Sequence, residues 1–324
     1  MKKRTFLLGS VFAVSTLVAP LAAQANDSVN VVYMRIPPLV HMIYALDHGI
    51  FEQHGLDVNL TVVNGGPELM AALASGSGDI GMTAAGIVMT ARAGGLPIQV
   101  FGTGDYEEPG DFRNWIVADA NDGITSLNDL EGKTVGIVAP NSPAELCVRD
   151  HMLAAGADPN TVNFVALPFP QLPAALEVGN VDAIMVGDPF HTQIMNSTQV
   201  APVELAEGII ASENEDGRVA LGGWFASDEW LADEHNRDIA RRYLAAVLQA
   251  NRELAADRSL VDAIFMRDFG MPEQVAQHVP LDLNTESLVA YPRDYAPTLR
   301  AFERTGMIPE GDLSVDDIVV TIAE

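Results

Sequence analysis

The residues best suited to chemistry in this 324-residue chain are few and dispersed. Seven histidines stand at His41, His48, His54, His151, His191, His235 and His278, and the single cysteine is Cys147. No HExxH, CxxC, GxSxG or GxxxxGK(S/T) occurs, and no GxGxxG follows the first strand. Zinc hydrolysis, dithiol redox chemistry, serine acyl transfer and nucleotide binding therefore lack their local signatures. A different arrangement does recur. IPPLVH (36–41), NGGPE (64–68), MTAAG (82–86), APNSPAE (139–145), PFPQL (168–172) and VGDPFH (186–191) each follow a strand-like run and open a helix-like one. A helix N-terminus carries free backbone N–H groups and the positive end of the dipole, so a cleft ringed by such ends suits a sulfonate, carboxylate or nitrate.

Helix capping competes for the same side chains. Ser142 followed by Glu145 reads as a capping box, Pro143 suits the first helical position, and Thr83 and Asn64 can cap as well. His41 and His191 fall in these loops, where a polar or capping role is expected rather than metal ligation. Asp188 has two readings: a cap for the helix starting at Pro189, or an acceptor for an amine on a ligand. Tyr106 and Trp224 lie near the expected crossings between lobes, where they either stack on a ligand or pack the hinge.

The elements that position these loops repeat along the chain. PELMAALASGSGDIGM (67–82) and PQLPAALEVGNVDAIM (170–185) align without gaps at a shift of 103, and the same shift carries VVYMRIPP (31–38) onto TVGIVAPN (134–141). Each copy reads as a helix at helical apolar spacing, a glycine stop and a short apolar strand. The spacing predicts strands at 29–36, 57–63, 79–83 and 97–103 with helices at 38–53, 67–75 and 85–93. It then predicts strands at 115–118, 133–138, 162–166 and 182–186 with helices at 142–155, 170–178 and near 189–196. Residues 219–226 read as a further strand, and 227–324 as mostly helical. The fold class is α/β: two βαβ-type lobes with mostly parallel sheets, joined by a two-segment hinge with a ligand cleft between them. Lobe one takes 26–110 with 219–324, and lobe two takes 111–218.

The N-terminus joins Lys2, Lys3 and Arg4 to an apolar run and then to Ala23-Gln24-Ala25, the pattern of a cleavable export signal over residues 1–25. The formal charge is −26, and cleavage after Ala25 removes three cations to leave −29. Nucleic acid and anionic membranes repel such a chain. A lone cysteine far from the cleavage site offers neither an intrachain disulfide nor a lipid anchor, and Cys147 reads as a small buried apolar residue on a helix.

ALDHGIFEQHGLDVNL (45–60), NGGPELMAALASGSGDIGM (64–82), SLNDLEGKTVGIVAPNS (126–142) and LPAALEVGNVDAIMVGDPF (172–190) carry a resemblance over nearly the whole mature chain. DLEGKTVG and the twofold ALxxGxxD are its most specific parts. The chain resembles the periplasmic solute-binding proteins of ABC importers, in the type II group of nitrate, sulfonate, taurine and thiamine-precursor receptors. The resemblance implies a monomeric, periplasmic, non-enzymatic receptor without cofactor, which captures a solute by lobe closure and delivers it to an inner-membrane permease. Carried over by position, ligand contacts come from Pro38 and Leu39, with His41 in the same loop, and from Gly65, Gly66, Thr83, Ala84, Asp105, Tyr106, Asn141, Ser142 and Asp188. An organic anion such as a sulfonate or a taurine-like compound is the leading solute. Arg35 and Arg113 are the nearest cations, and Pro37, Pro38 and Pro143 reduce the backbone donors. A pyrimidine or other heterocycle is the alternative and would lean on Tyr106, Phe169, Phe190 or Trp224. A thiamine-pyrimidine synthase of the same fold would need a cysteine-rich signature, which one cysteine does not supply. A regulator's sensor domain fits poorly with an export signal and no DNA-binding segment.

Overall fold

The computed structural model describes residues 25–322 except 35, 64, 212–217, 280 and 282. The expected export segment therefore lies, apart from Ala25, outside the described residues. In the first unit β1 (Asp27–Met34), α1 (Leu39–Asp47), α2 (Ile50–Gln53), β2 (Leu56–Val63), α3 (Gly66–Ala74), β3 (Ile80–Ala84), α4 (Ala85–Ala93) and β4 (Ile98–Glu107) follow one another. The second unit runs β5 (Trp115–Asp119), β6 (Thr134–Ile137), α5 (Pro143–Ala154), β7 (Asn163–Ala166), α6 (Leu172–Glu177), β8 (Ala183–Val186), α7 (Phe190–Met195) and β9 (Pro202–Glu207). The chain ends with β10 (Val219–Ser227), α8 (Asp228–Ala232), α9 (Glu234–Ala256), α10 (Arg258–Asp268), α11 (Glu273–Ala276), α12 (Pro292–Arg304) and α13 (Val315–Ile318).

Two five-stranded sheets result, ordered β2-β1-β3-β10-β4 and β7-β6-β8-β5-β9. Within each, the three repeat strands pair in parallel, while β10 and β5 enter antiparallel to their neighbours. The fold is thus the expected α/β arrangement with mostly parallel sheets. The late helices pack on the first sheet. Val289 and Val319 bridge to Gly102 and Val100 of β4, and α9 buries Ile239, Tyr243, Leu244, Val247 and Leu254 at helical spacing.

Three local details depart from the sequence reading. The helix expected over 38–53 is split in two because Gly49 takes a φ of 64°, a left-handed conformation that glycine adopts without steric cost. PVELAE becomes edge strand β9, half-exposed and carrying Glu204 and Glu207, so it shows no clean alternation. The repeat also holds at 103 only in part. Asp79 accepts from the backbone N–H of Asn30 at 2.8 Å, and Asp182 accepts from that of Thr134 at 2.7 Å. The two aspartates stand 103 apart, yet the strand residues they hold stand 104 apart. The offset puts Gly136 in the place of Val32, not Tyr33. Val32 packs with Leu69 and Leu73, and a Cβ on Gly136 would meet Leu172, the partner of Leu69, at 2.9 Å.

Candidate ligand cleft

A cleft of about 570 Å³ opens beyond the carboxyl ends of β1 and β8. Pro37 and Pro38 reach it from the loop after β1, and Gly187 and Asp188 from the loop after β8. Asp105 comes from β4, Asp111, Phe112 and Arg113 from the crossing between the sheets, and Trp115 from the start of β5. Arg258 and Leu281 complete the lining from the C-terminal region.

Of the residues singled out from sequence, Pro37, Pro38, Asp105, Arg113 and Asp188 line this cavity. The other described candidates are not among its lining residues. Leu39, His41, Thr83, Tyr106, Ser142 and Trp224 are buried, Gly65, Gly66 and Ala84 half-buried, and Asn141 exposed. Phe169 is 40% exposed and stacks on Phe190 with ring centroids 5.9 Å apart. Asp111, Phe112, Trp115, Gly187, Arg258 and Leu281 were missed. The DFRNW crossing held an aromatic and an arginine between two strands, which is a usable signal. Arg258 and Leu281 arrive from distant chain and leave none.

The helix ends are largely satisfied from within. At α1 the N–H groups of Leu39 and Val40 donate to the carbonyls of Ile36 and Pro37. At α5 the Asn141 N–H donates to Glu145 Oε2 at 2.8 Å, while Ser142 Oγ donates to the Ala139 carbonyl at 2.6 Å. The expected capping box therefore does not form: the Ser142 hydroxyl turns away from the helix, and Glu145 instead holds the backbone of Asn141, whose φ is 54°. At α7, Asp188 Oδ1 accepts from the Thr192 N–H at 3.0 Å and from its hydroxyl at 2.6 Å. Asp188 thus caps a helix and lines the cleft at once.

Aromatic and charged side chains fix the walls. His191 lies flat on Trp115 with ring centroids 3.9 Å apart, and its Nε2 is 2.8 Å from Glu204 Oε1. Arg113 Nη2 donates to Asp111 at 2.8 Å. Arg258 donates to Asp262 and to the carbonyls of Ala276 and Val279, each at 2.8 Å. Behind the Pro38 turn, Tyr33 donates to the Pro38 carbonyl at 3.2 Å and stands 2.9 Å from His41 Nε2. Burial lowers His41 to a pKa of about 3, so the imidazole is neutral. Trp224 packs beside it at 0% exposure and Arg218 covers the Tyr106 ring at 4.0 Å, so both aromatics pack within the protein. Among the described residues no group of His, Cys, Asp or Glu is placed to hold a metal.

Two buried carboxylates tie the crossings. Glu107, fully buried, accepts from the Arg113 N–H, Asn114 Nδ2 and the Ile209 N–H at 2.8, 2.7 and 2.6 Å. Burial raises its pKa above the usual carboxylate value. Asp150 of α5 holds Arg304 of α12 and the Ala211 N–H. Nearby, Cys147 is buried with its Sγ 3.4 Å from the Gly208 carbonyl. A Cβ on Gly86 of α4 would lie 2.8 Å from Pro143 and 3.0 Å from Phe302, so α4, α5 and α12 meet closely.

With this geometry in place, the family described as NMT1/THI5 like matches residues 37–257. The chain belongs to the NMT1/THI5-like family. Its relatives include a putative aliphatic sulfonates-binding protein of Escherichia coli, 23% identical over 270 residues that span 83% of this chain and 79% of the relative. The nitrate import ATP-binding protein NrtC of Synechocystis is 26% identical over 198 residues, 56% of this chain but only 30% of that relative. In three dimensions the family member resembles the periplasmic aliphatic sulphonate binding protein SsuA of Escherichia coli. The TM-score is 0.72 at 18% identity, covering 92% of this chain and 93% of the other.

Proposed function

We propose that this protein is a periplasmic receptor of an ABC importer, which captures a small charged organic solute and delivers it to an inner-membrane permease. A sulfonate or taurine-like compound is the leading ligand. The observation that carries the reading is the cleft itself: it lies beyond the carboxyl ends of strands from two separate sheets, and its lining mixes Arg113 and Arg258 with Asp105, Asp111 and Asp188. Open parallel sheets bind ligands at that end. The lobes of the reading are 26–110 with 219–324, and 111–218. They close by pivoting where Glu107 gathers both crossings, because a ligand that contacts both lobes stabilises the closed arrangement. The aromatic wall of Phe112 and Trp115 supports a pyrimidine-type solute as a second reading.

A thermal-shift screen of the mature protein against taurine, alkanesulfonates, nitrate and pyrimidines tests this. A ligand that binds only the folded state raises the melting temperature. A shift that grows with ligand concentration supports the receptor reading, and the compound that produces it chooses between the two ligand classes. A flat response to every compound at millimolar concentration overturns it.

A further inference from the structure

The charged side chains of the cleft reach it from several elements. Arg113 donates to Asp111, and Arg258 is held by Asp262 and two backbone carbonyls. Asp188 reaches the cavity from the second sheet, its orientation fixed by the two hydrogen bonds from Thr192. Asp105 reaches it from β4 of the first sheet. Trp115 also lines the cavity, its position set by the stacked His191, which Glu204 holds in turn. Carboxylates from two sides and an immobilised indole are the surroundings that stabilise a protonated nitrogen, through charge-assisted hydrogen bonds and cation–π attraction. The preset side chains lower the ordering cost of binding.

We infer that the solute carries a protonated nitrogen, an ammonium or amidinium, and that Asp105, Asp188 and Trp115 select it. Any acidic end of the solute is left to Arg113 and Arg258. The inference rests on the receptor reading above and narrows its ligand class: a simple anion such as nitrate or an unsubstituted alkanesulfonate lacks the group that the aspartates recognise.

Matched pairs differing only at that nitrogen test it by calorimetry on the mature protein: taurine against isethionate, and benzylamine against benzyl alcohol. The expected result is tighter binding of an amine than of its alcohol by about tenfold or more in at least one pair. Asp188→Asn and Asp105→Asn should each shrink that preference, while Asp188→Glu retains part of it. Melting curves of each variant separate lost selectivity from lost folding. Isethionate binding as tightly as taurine would leave the receptor reading standing and overturn the amine selectivity, as would a preference unchanged in both Asn variants. Binding by neither amine also overturns the inference, and a simultaneous lack of response to all sulfonates, nitrate and pyrimidines overturns the receptor reading with it.

Discussion

Burial takes His41 from its ordinary value of 6.5 to about 3, because an imidazolium in the interior loses its hydration. A lowered histidine pKa makes stability depend on pH in a fixed direction. The unfolded chain takes up a proton as the pH falls below about 6.5, and the folded chain does so only near 3, so the native state loses stability across that window. The contribution of this one residue is about 1.4 kcal/mol per pH unit. Replacing His41→Leu should make the acid-side decline in unfolding free energy shallower by about that slope, measured by urea titration at successive pH values. An unchanged slope would show that another group titrates in its place. Asp188 teaches a related lesson. Its two sequence readings, cap and cleft group, are both compatible with the geometry, because one carboxylate oxygen suffices to cap α7.

Among the elements, the two repeat units show how far a sequence pattern carries. The placement of strands and helices along the chain and the equivalence of Asp79 and Asp182 were legible because apolar alternation and glycine stops are local signals. The register of β6 was not. Aligned by sequence alone, Gly136 falls on Tyr33, and only the hydrogen bond of Thr134 to Asp182 reveals the one-residue offset. Strand faces alternate, so such a slip exchanges inside for outside. Because a Cβ on Gly136 would lie 2.9 Å from Leu172 and 3.3 Å from Ile184, Gly136→Val should overpack that layer and cost about 1–3 kcal/mol, read from the chemical-denaturation midpoint. A neutral result would place the glycine on the open face. Edge strand β9 escaped the sequence reading for a physical reason as well, since a strand with one partner and two glutamates carries little apolar signal.

For the molecule as a whole, the cleft was legible as a location but not as a set of side chains. Loops after strands can be found by pattern, whereas Arg258 and Leu281 are brought to the cavity by the packing of the late helices on the first sheet. The same packing sets the link between α5 and α12. Asp150 is fully buried and Arg304 is its cation, so Arg304→Met leaves a carboxylate charge uncompensated and should destabilise by about 3–5 kcal/mol in equilibrium unfolding. Adding Asp150→Asn to that variant should recover part of the loss. If the double variant is no more stable than Arg304→Met, the cost lies in packing instead of charge.

The only thiol in the chain is sealed inside α5, and burial pushes its pKa well above the ordinary range. Thiol-directed dyes react through the thiolate, so the native fold is chemically silent toward them. Cysteines introduced at exposed positions such as Val62 on the first sheet and Val178 after α6 would then be the sole labelling sites. The protein is ready-made for a two-colour fluorescence reporter of solute capture, with no background residue to remove first.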